Sequence, residues 1–461
     1  MLPFSTPPSA GSITLAMRSW LAVTLSAAAL AASVAGVAGA SGRGGAPATC
    51  GRLLPPASGI YFGLNPDFSQ PPDQLEGHTV SRVGIEEFVD VAGRRPVVAS
   101  FVQHWFKGLE FPRDKILTIW RAGAVPYVRM HAHSGSPFGV GNPPEEYPGI
   151  YSLQNIIDGK FDDALRKWAE AARASNIPII IEFGDEENAD WGPWSGIWNG
   201  AGETTGYGDP SFPDGPERFR DAYRHMVTLF RGAGATNTTW VFHMVLWFQP
   251  NHTWESFANY YPGGEYVDWL ALSIFGLNNL PDGGLGSFEQ DLATFHAPDY
   301  PGNYADITSL GPQPLSLMYV GVTPKQGDDV AWINGMFETL KSNRYPRVAM
   351  LSWFNGDDWG SKLFPGTPAA AAFRAGAASS LFDAKPQFTG DCRPSAPKVR
   401  AKGGVVTWTM VPNATSYEVW RGAKRVATTM RTSYRGRPGR YRIRALNPLG
   451  AGPFAAARSR G

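Results

Sequence analysis

The sequence predicts an α/β chain: a (β/α)8 TIM barrel followed by a small all-β immunoglobulin-like sandwich. Three observations carry that reading. Eight short apolar runs alternate with helical patterns across residues 59–390, the rhythm of a parallel barrel with insertions. One run, Ile177-Pro-Ile-Ile-Ile-Glu-Phe183, ends in Asp185, Glu186, Glu187 and Asn188, then Trp191 and Trp194. That is how a buried parallel strand emerges at a barrel mouth. After Cys392 the texture changes to short alternating strands separated by turn residues.

In chain order, Gly59-Ile-Tyr-Phe-Gly63 is a short first strand and Pro96 to Trp105 a second. Val125-Pro-Tyr-Val-Arg-Met-His131 is a third, and Ile177 to Phe183 a fourth. Thr239 to Trp247, Val267 to Phe275, Leu315 to Val320 and Val348 to Phe354 complete eight. Between them, Leu165, Trp168, Ala169 and Ala172 share one helical face, and Phe219, Tyr223, Met226 and Phe230 share another. A doubly wound sheet is the rival, but no Gly-rich phosphate loop follows the first strand. Pro394-Ser-Ala-Pro397 reads as a linker, so residues 391–397 divide the barrel from residues 398–461. There, Val405-Val-Thr-Trp408, Ser416 to Trp420 and Gly439 to Leu446 alternate as strands do.

Composition excludes some functions. The 461 residues carry 41 Lys and Arg against 40 Asp and Glu, so no field is available to hold nucleic acid or an acidic membrane. The 16 Trp, 16 Tyr and 26 Phe, with 53 Gly and 39 Pro, suit an extracellular polysaccharide-active protein better than a cytosolic metabolic enzyme. Met17 to Ala40 has a basic start, an Ala-rich apolar centre and Ala38-Gly-Ala40 before a Ser. It reads as a secretory signal peptide over residues 1–40, with Met17 a candidate start, and residues 41–58 as a linker. A membrane anchor is the competing reading of that stretch, though it is short for a bilayer span. Secretion to the exterior or the cell wall is expected, without stable membrane insertion, and the protein is expected to be a monomer.

The two cysteines, Cys50 and Cys392, flank the motif-bearing region. In an oxidising compartment they would clasp the entry and exit of one domain, the alternative being two free thiols. Two distant Cys and scattered His offer no metal-ligand spacing, so no metal and no cofactor are expected.

Carboxylates beside indole rings suit carbohydrate chemistry: Trp faces stack on sugars while a carboxyl group handles the glycosidic proton. Glu186 is the candidate acid at the mouth. Asp185, Asn188, Trp191, Trp194, His104, Trp105, Phe275 and Trp353 are candidates to contact a polysaccharide or oligosaccharide. Glu182 has the inward phase of Glu186 but lies deeper, where a buried carboxylate requires a partner. Arg129, inward on the adjoining strand, is the expected one. His131 and His133 fall near a strand end and are expected to be hydrogen-bonding residues. Asp328, Asp329, Asp357 and Asp358 sit in loops after the last two strands and are expected to be solvated.

Several motifs resemble glycoside hydrolase family 26, whose best known members are β-mannanases. That family's fourth strand ends in His-Glu-Met-Asn-Gly and then Trp-x-Pro-Trp, with the Glu as acid/base. Here the stretch is Asp185-Glu186-Glu187-Asn188-Ala189 and Trp191-Gly-Pro-Trp194, which places Glu186 at the acid/base position. Tyr261-Pro-Gly-Gly-Glu-Tyr-Val-Asp-Trp269 is similar to the family's segment before its sixth strand. Gly232 to Val241 and Ser352-Trp-Phe-Asn355 also fit. The resemblance covers about Gly59 to Phe388. Residues 398–461, with Trp408, Tyr417 and Asn447-Pro-Leu-Gly-Ala-Gly-Pro453, resemble a fibronectin type III module, expected as a spacer.

The resemblance breaks at the reaction centre. The family's seventh strand supplies a nucleophilic Glu, and in Pro314-Leu-Ser-Leu-Met-Tyr-Val-Gly321 that position is Tyr319. Its sixth-strand Asp-x-Tyr is here Ser273-Ile-Phe275, and the His before the acid/base is Asp185. Retention needs two carboxyl groups about 5 to 5.5 Å apart, and this pattern supplies one. Three routes stay open. Asp185 or Asp328 could activate water with inversion, Tyr319 could be the nucleophile given a neighbouring base, or the cleft could bind glycans without chemistry. A phenol with an ordinary titration is a poor nucleophile at neutral pH. From sequence, therefore, 2-fluoro glycoside inactivators are expected to leave Tyr319 unlabelled. Tyr319→Glu combined with Phe275→Tyr is expected to create or raise retaining activity, and intact mass and product analysis check both expectations.

Overall fold

A computed structural model describes residues 49–66, 80–134, 148–246, 252–276, 285–293, 303–323, 328–356 and 360–459. The leader expected over residues 1–40, and Asp357 and Asp358, lie outside them. Eight parallel strands close into a barrel in sequence order. They are Tyr61–Pro66, Val98–His104, Val125–His131, Ile179–Phe183, Thr238–Val245, Trp269–Gly276, Leu315–Val322 and Val348–Asn355. All but one of their residues are buried, which is why each reads as an apolar run and not as an alternation. Trp168, Phe219, Tyr223, Met226 and Phe230 pack from the surrounding helices onto the barrel.

Helix ends are marked by local chemistry. Ser81 accepts from the Gly84 N–H at the start of Arg82–Ala92, and Gly93 closes it at φ 70. Thr367 caps Pro368–Ala377, where proline occupies the first turn. Asn176 ends Asp162–Ser175 in the left-handed region, and its Oδ1 accepts from the Cys50 N–H at 2.8 Å.

A feature the apolar runs do not disclose closes the barrel floor. Leu53–Leu54 pairs antiparallel with Gln387–Phe388, and the Trp269 indole donates to the Leu53 carbonyl at 3.0 Å. Beside this pair, Cys50 and Cys392 form a disulfide across 342 residues.

The C-terminal part is all-β and antiparallel. One sheet orders Val399–Lys402, Val405–Trp408 and Ser433–Arg435; the other holds Lys424–Thr429, Ser416–Arg421, Gly439–Asn447, Gly450–Ala451 and Ala455–Ser459. Val406, Trp408, Tyr417, Val419, Tyr441 and Ile443 form the core between them. This sandwich is fastened to the barrel through backbone groups. Trp120 donates to the Asn413 carbonyl at 2.9 Å, and Asn413 and Asn447 both donate to the Cys392 carbonyl.

Among the described residues no helix is long and apolar enough to cross a membrane. Closing so long a loop stabilises by about 6 kcal/mol in the chain-entropy account. Non-reducing peptide mapping should recover Cys50 and Cys392 in one cross-linked fragment, and reduction should lower the melting temperature. Two free thiols in secreted material would contradict the clasp.

Candidate functional site

The site is the mouth of the barrel at the end of the fourth strand. Leaving Phe183, the chain turns sharply: Gly184 has φ 58 and Glu186 φ 55. A side chain at Gly184 would collide with the Trp194 ring, so the turn needs glycine there. Glu186 adopts the left-handed region without that excuse, a conformation costing about 1 to 2 kcal/mol. Its N–H donates to the His243 carbonyl at 3.1 Å, and its carbonyl accepts from Ala189 at 2.9 Å. The turn holds three consecutive buried acids.

These acids occupy three different environments. Burial opposes ionisation of Asp185, but His131 at 2.8 Å, Arg129 at 3.6 Å and, more weakly, His243 outweigh it. Its carboxyl is held well below the usual range. Glu186 is pushed up to about 7 by burial first and then by the negative charge of Asp185, against the opposing influence of His243 and a hydrogen bond from Ser273. Glu187 is fully buried, and burial raises it well above the ordinary carboxylate value.

Tyr319 reaches across from the seventh strand. The ladder slips between Leu272 and Ser273, so Ala271 pairs with Ser316 but Ser273 pairs with Tyr319. The extra residue re-aims the strand and brings Tyr319 to the inward face. The Tyr319 hydroxyl donates to Asp185 Oδ2 at 2.7 Å and accepts from Arg129. The Arg129 guanidinium also lies 4.7 Å from the Tyr319 ring centre. The structure thus pairs this phenol with a carboxylate and a guanidinium.

Beneath lies a second network. Glu182 accepts from Tyr127 and faces His243 Nδ1 at 3.1 Å, and His243 Nε2 meets Ser273 Oγ at 2.9 Å. Arg129 and Glu182 are register partners on adjoining strands, as expected. Arg129 also meets Asp185 at 3.6 Å, and Glu182 also faces His243. His243, Ser273 and Tyr127 were not singled out from sequence. A histidine inside the apolar run Thr239 to Trp247 was the available signal.

Several expected sugar contacts serve the scaffold instead. Trp194 is 1 % exposed and donates to the Asp185 carbonyl at 2.8 Å, its ring 4.4 Å from His131. Trp353 is 1 % exposed, donates to Ser361 and packs on Phe373 at 4.8 Å. Trp105 is buried against Phe161 and Phe183. Asn188 ties the turn to the fifth strand through both backbone groups of Val245. These four are corrected to packing and bracing roles, because tryptophan faces already covered by protein have none left for a sugar. Trp191 is half-buried beside Ala189 and Val245, and Phe275 is half-buried against Phe354, so both keep surface at the rim. His104 meets His133 at 2.7 Å in a histidine cluster with His131. Asp328, the alternative base, caps the helix Asp329–Lys341 by accepting from the Ala331 N–H at 2.9 Å. Among the described residues no group of His, Cys, Asp and Glu could hold a metal ion.

A family model described as glycosyl hydrolase family 26 matches residues 117–298. That segment contains the turn of acids and ends before the strand bearing Tyr319. Endoglucanase H of Acetivibrio thermocellus is 26% identical over 328 residues, covering 70% of this chain and 32% of that protein. The mannan endo-1,4-beta-mannosidase of Bacillus subtilis is 19% identical over 262 residues, covering 55% of this chain and 62% of that protein. The chain thus spans under two thirds of either relative. Among solved structures, a Cellulomonas fimi endo-beta-1,4-mannanase double mutant aligns with a TM-score of 0.47 at 18% identity, covering 87% of this chain and 94% of that one. A family 26 β-mannanase from Bacteroides ovatus aligns with a TM-score of 0.47 at 16% identity, covering 71% and 90%.

The lower network sets a stability expectation. Glu182→Ala removes the partner of buried His243 and Tyr127 and should cost about 3 to 5 kcal/mol, while Glu182→Gln keeps an acceptor and should cost less. Thermal unfolding measures both; a melting temperature unchanged in Glu182→Ala would contradict the network.

Proposed function

Starting from a barrel of the glycosyl hydrolase family 26 type, we propose a secreted hydrolase of O-glycosidic bonds in an extracellular polysaccharide. One observation carries the reading: a protonatable Glu186 sits beside an ionised Asp185 that already accepts the Tyr319 hydroxyl hydrogen. Carboxyl groups whose environments push their titrations apart divide acid from base duties. Glu186 is the general acid for the leaving oxygen. Tyr319 stands where the family's nucleophile stands, with Asp185 as its proton acceptor and Arg129 facing its oxygen.

The steps balance on those groups. The Tyr319 oxygen bonds to the anomeric carbon as its proton passes to Asp185, and the glycosidic bond breaks as Glu186 protonates the leaving oxygen. Water, deprotonated by Glu186, then displaces the phenol, which recovers its proton from Asp185. A neighbouring base is what a tyrosine nucleophile requires, and the expectation of an unreactive phenol is revised on that ground. β-Mannan is the first substrate class, with β-glucan its competitor, since the two relatives are a mannosidase and an endoglucanase. Trp191 and Phe275 at the rim are the side chains proposed to contact the sugars, and His104 is a further proposed contact. Export is supported by the disulfide and by the leader-like Met17 to Ala40. The sandwich is proposed to be a fibronectin type III spacer.

One observation favours a second reading. Tyr319 is 4 % exposed and its hydroxyl is held from both sides. A phenol locked across the mouth suits a glycan-binding or cell-wall protein that keeps the cleft without turnover.

Secreted protein screened on mannans, xylans, β-glucans and arabinans for cleavage and for binding separates the two readings. Glu186→Gln should lower turnover by about 10² or more with affinity nearly intact. Activity should fall as pH rises through about 7, because the acid form of Glu186 is lost there, and Glu186→Gln should remove that limb. After treatment with a 2-fluoro glycoside, intact mass and peptide mapping should find the sugar on Tyr319. Hydrolysis without a label would remove Tyr319 from the nucleophile role, and binding without cleavage would establish the second reading.

A further inference from the structure

Three buried side chains outside the family pattern converge on the proposed acid. Glu182 on the fourth strand faces His243 Nδ1 on the fifth at 3.1 Å, and His243 Nε2 meets Ser273 Oγ on the sixth at 2.9 Å. Ser273 in turn hydrogen-bonds the Glu186 carboxyl. Tyr127 fixes the far end by donating to Glu182. Three neighbouring strands therefore contribute one side chain each to a line that ends on Glu186. We infer that Glu182, His243 and Ser273 are a positioning chain, which orients the Glu186 carboxyl group and tunes its readiness to give up its proton. The inference rests on the reading of Glu186 as the acid.

The same three residues have the spacing of a serine nucleophile, its base and an orienting acid. Two facts assign them to positioning instead. A hydrogen bond from Ser273 favours the ionised form of Glu186. Burial disfavours a charged His243, but Glu182 first and then Glu186 and Asp185 outweigh it and push the imidazole up. A protonated imidazole donates from both nitrogens and has no lone pair left to take a serine proton.

The groups that face this line come from every side. Tyr127, Arg129 and His131 project from the third strand; Asp185 and Glu187 adjoin Glu186. The Tyr319 ring from the seventh strand meets the His243 ring edge-on at 4.9 Å. Of these, Arg129 and His131 both pair with Asp185. His243 and Ser273 are the two groups that favour the ionised form of Glu186.

The test reads Glu186 directly. Carboxyl carbon NMR of glutamate-labelled protein, with Glu186 assigned through Glu186→Gln, follows its titration in wild type, Ser273→Ala, Ser273→Thr and His243→Gln. Losing the donor or the charge should raise the Glu186 midpoint by on the order of half a pH unit or more, and Ser273→Thr, which keeps the hydroxyl, should restore it. The alkaline limb of activity should move in the same sense. Should the protein hydrolyse nothing, the functional reading fails while the midpoint shift still stands. A midpoint unchanged in both Ser273→Ala and His243→Gln would overturn the inference. Covalent labelling of Ser273 by a fluorophosphonate would also overturn it, assigning a nucleophilic serine.

Discussion

Three consecutive carboxyl groups cannot be buried side by side as three anions. That constraint organises the mouth of this barrel, because an unpaired buried charge costs several kcal/mol. The chain meets it by giving each acid a different state. Asp185 keeps its charge against His131, Arg129 and the Tyr319 hydroxyl. Burial pushes Glu187 well above the ordinary carboxylate value, and Glu186, between them, is pushed up to about 7. Gly184 and the left-handed Glu186 make the turn that presents them, and Trp194 and Asn188 brace it from behind.

Side chains at the mouth interlock. Tyr319 spans it and donates to Asp185. Ser273 meets His243 below, and Phe275 packs on Phe354. Arg129 links both halves, as the cation for Asp185 and the donor to Tyr319. Exchanging one of these residues alone leaves a buried charge or hydroxyl without its partner.

The fold was legible because buried parallel strands write themselves as apolar runs, and all eight fell where those runs stood. The clasp was legible because only two cysteines existed. The floor pair Leu53–Leu54 with Gln387–Phe388 was not, since two residues carry no periodicity. Glu186 and Tyr319 were found by motif position; strict alternation from Ser316 would have chosen Met318, because a bulge has no sequence signature here. The tryptophans misled for a different reason. Indoles near strand ends suggest sugar platforms, but Trp105, Trp194 and Trp353 are covered by protein, and burial is decided by neighbours far away in sequence.

The central claim is that the three acids differ in protonation. Neutron diffraction from deuterium-exchanged crystals, about one pH unit below the Glu186 midpoint of about 7, observes this directly. Deuterium is expected on the Glu186 carboxyl group and none on Asp185, with the Tyr319 deuteron directed at Asp185. A deuteron on Asp185 with a bare Glu186 would contradict it.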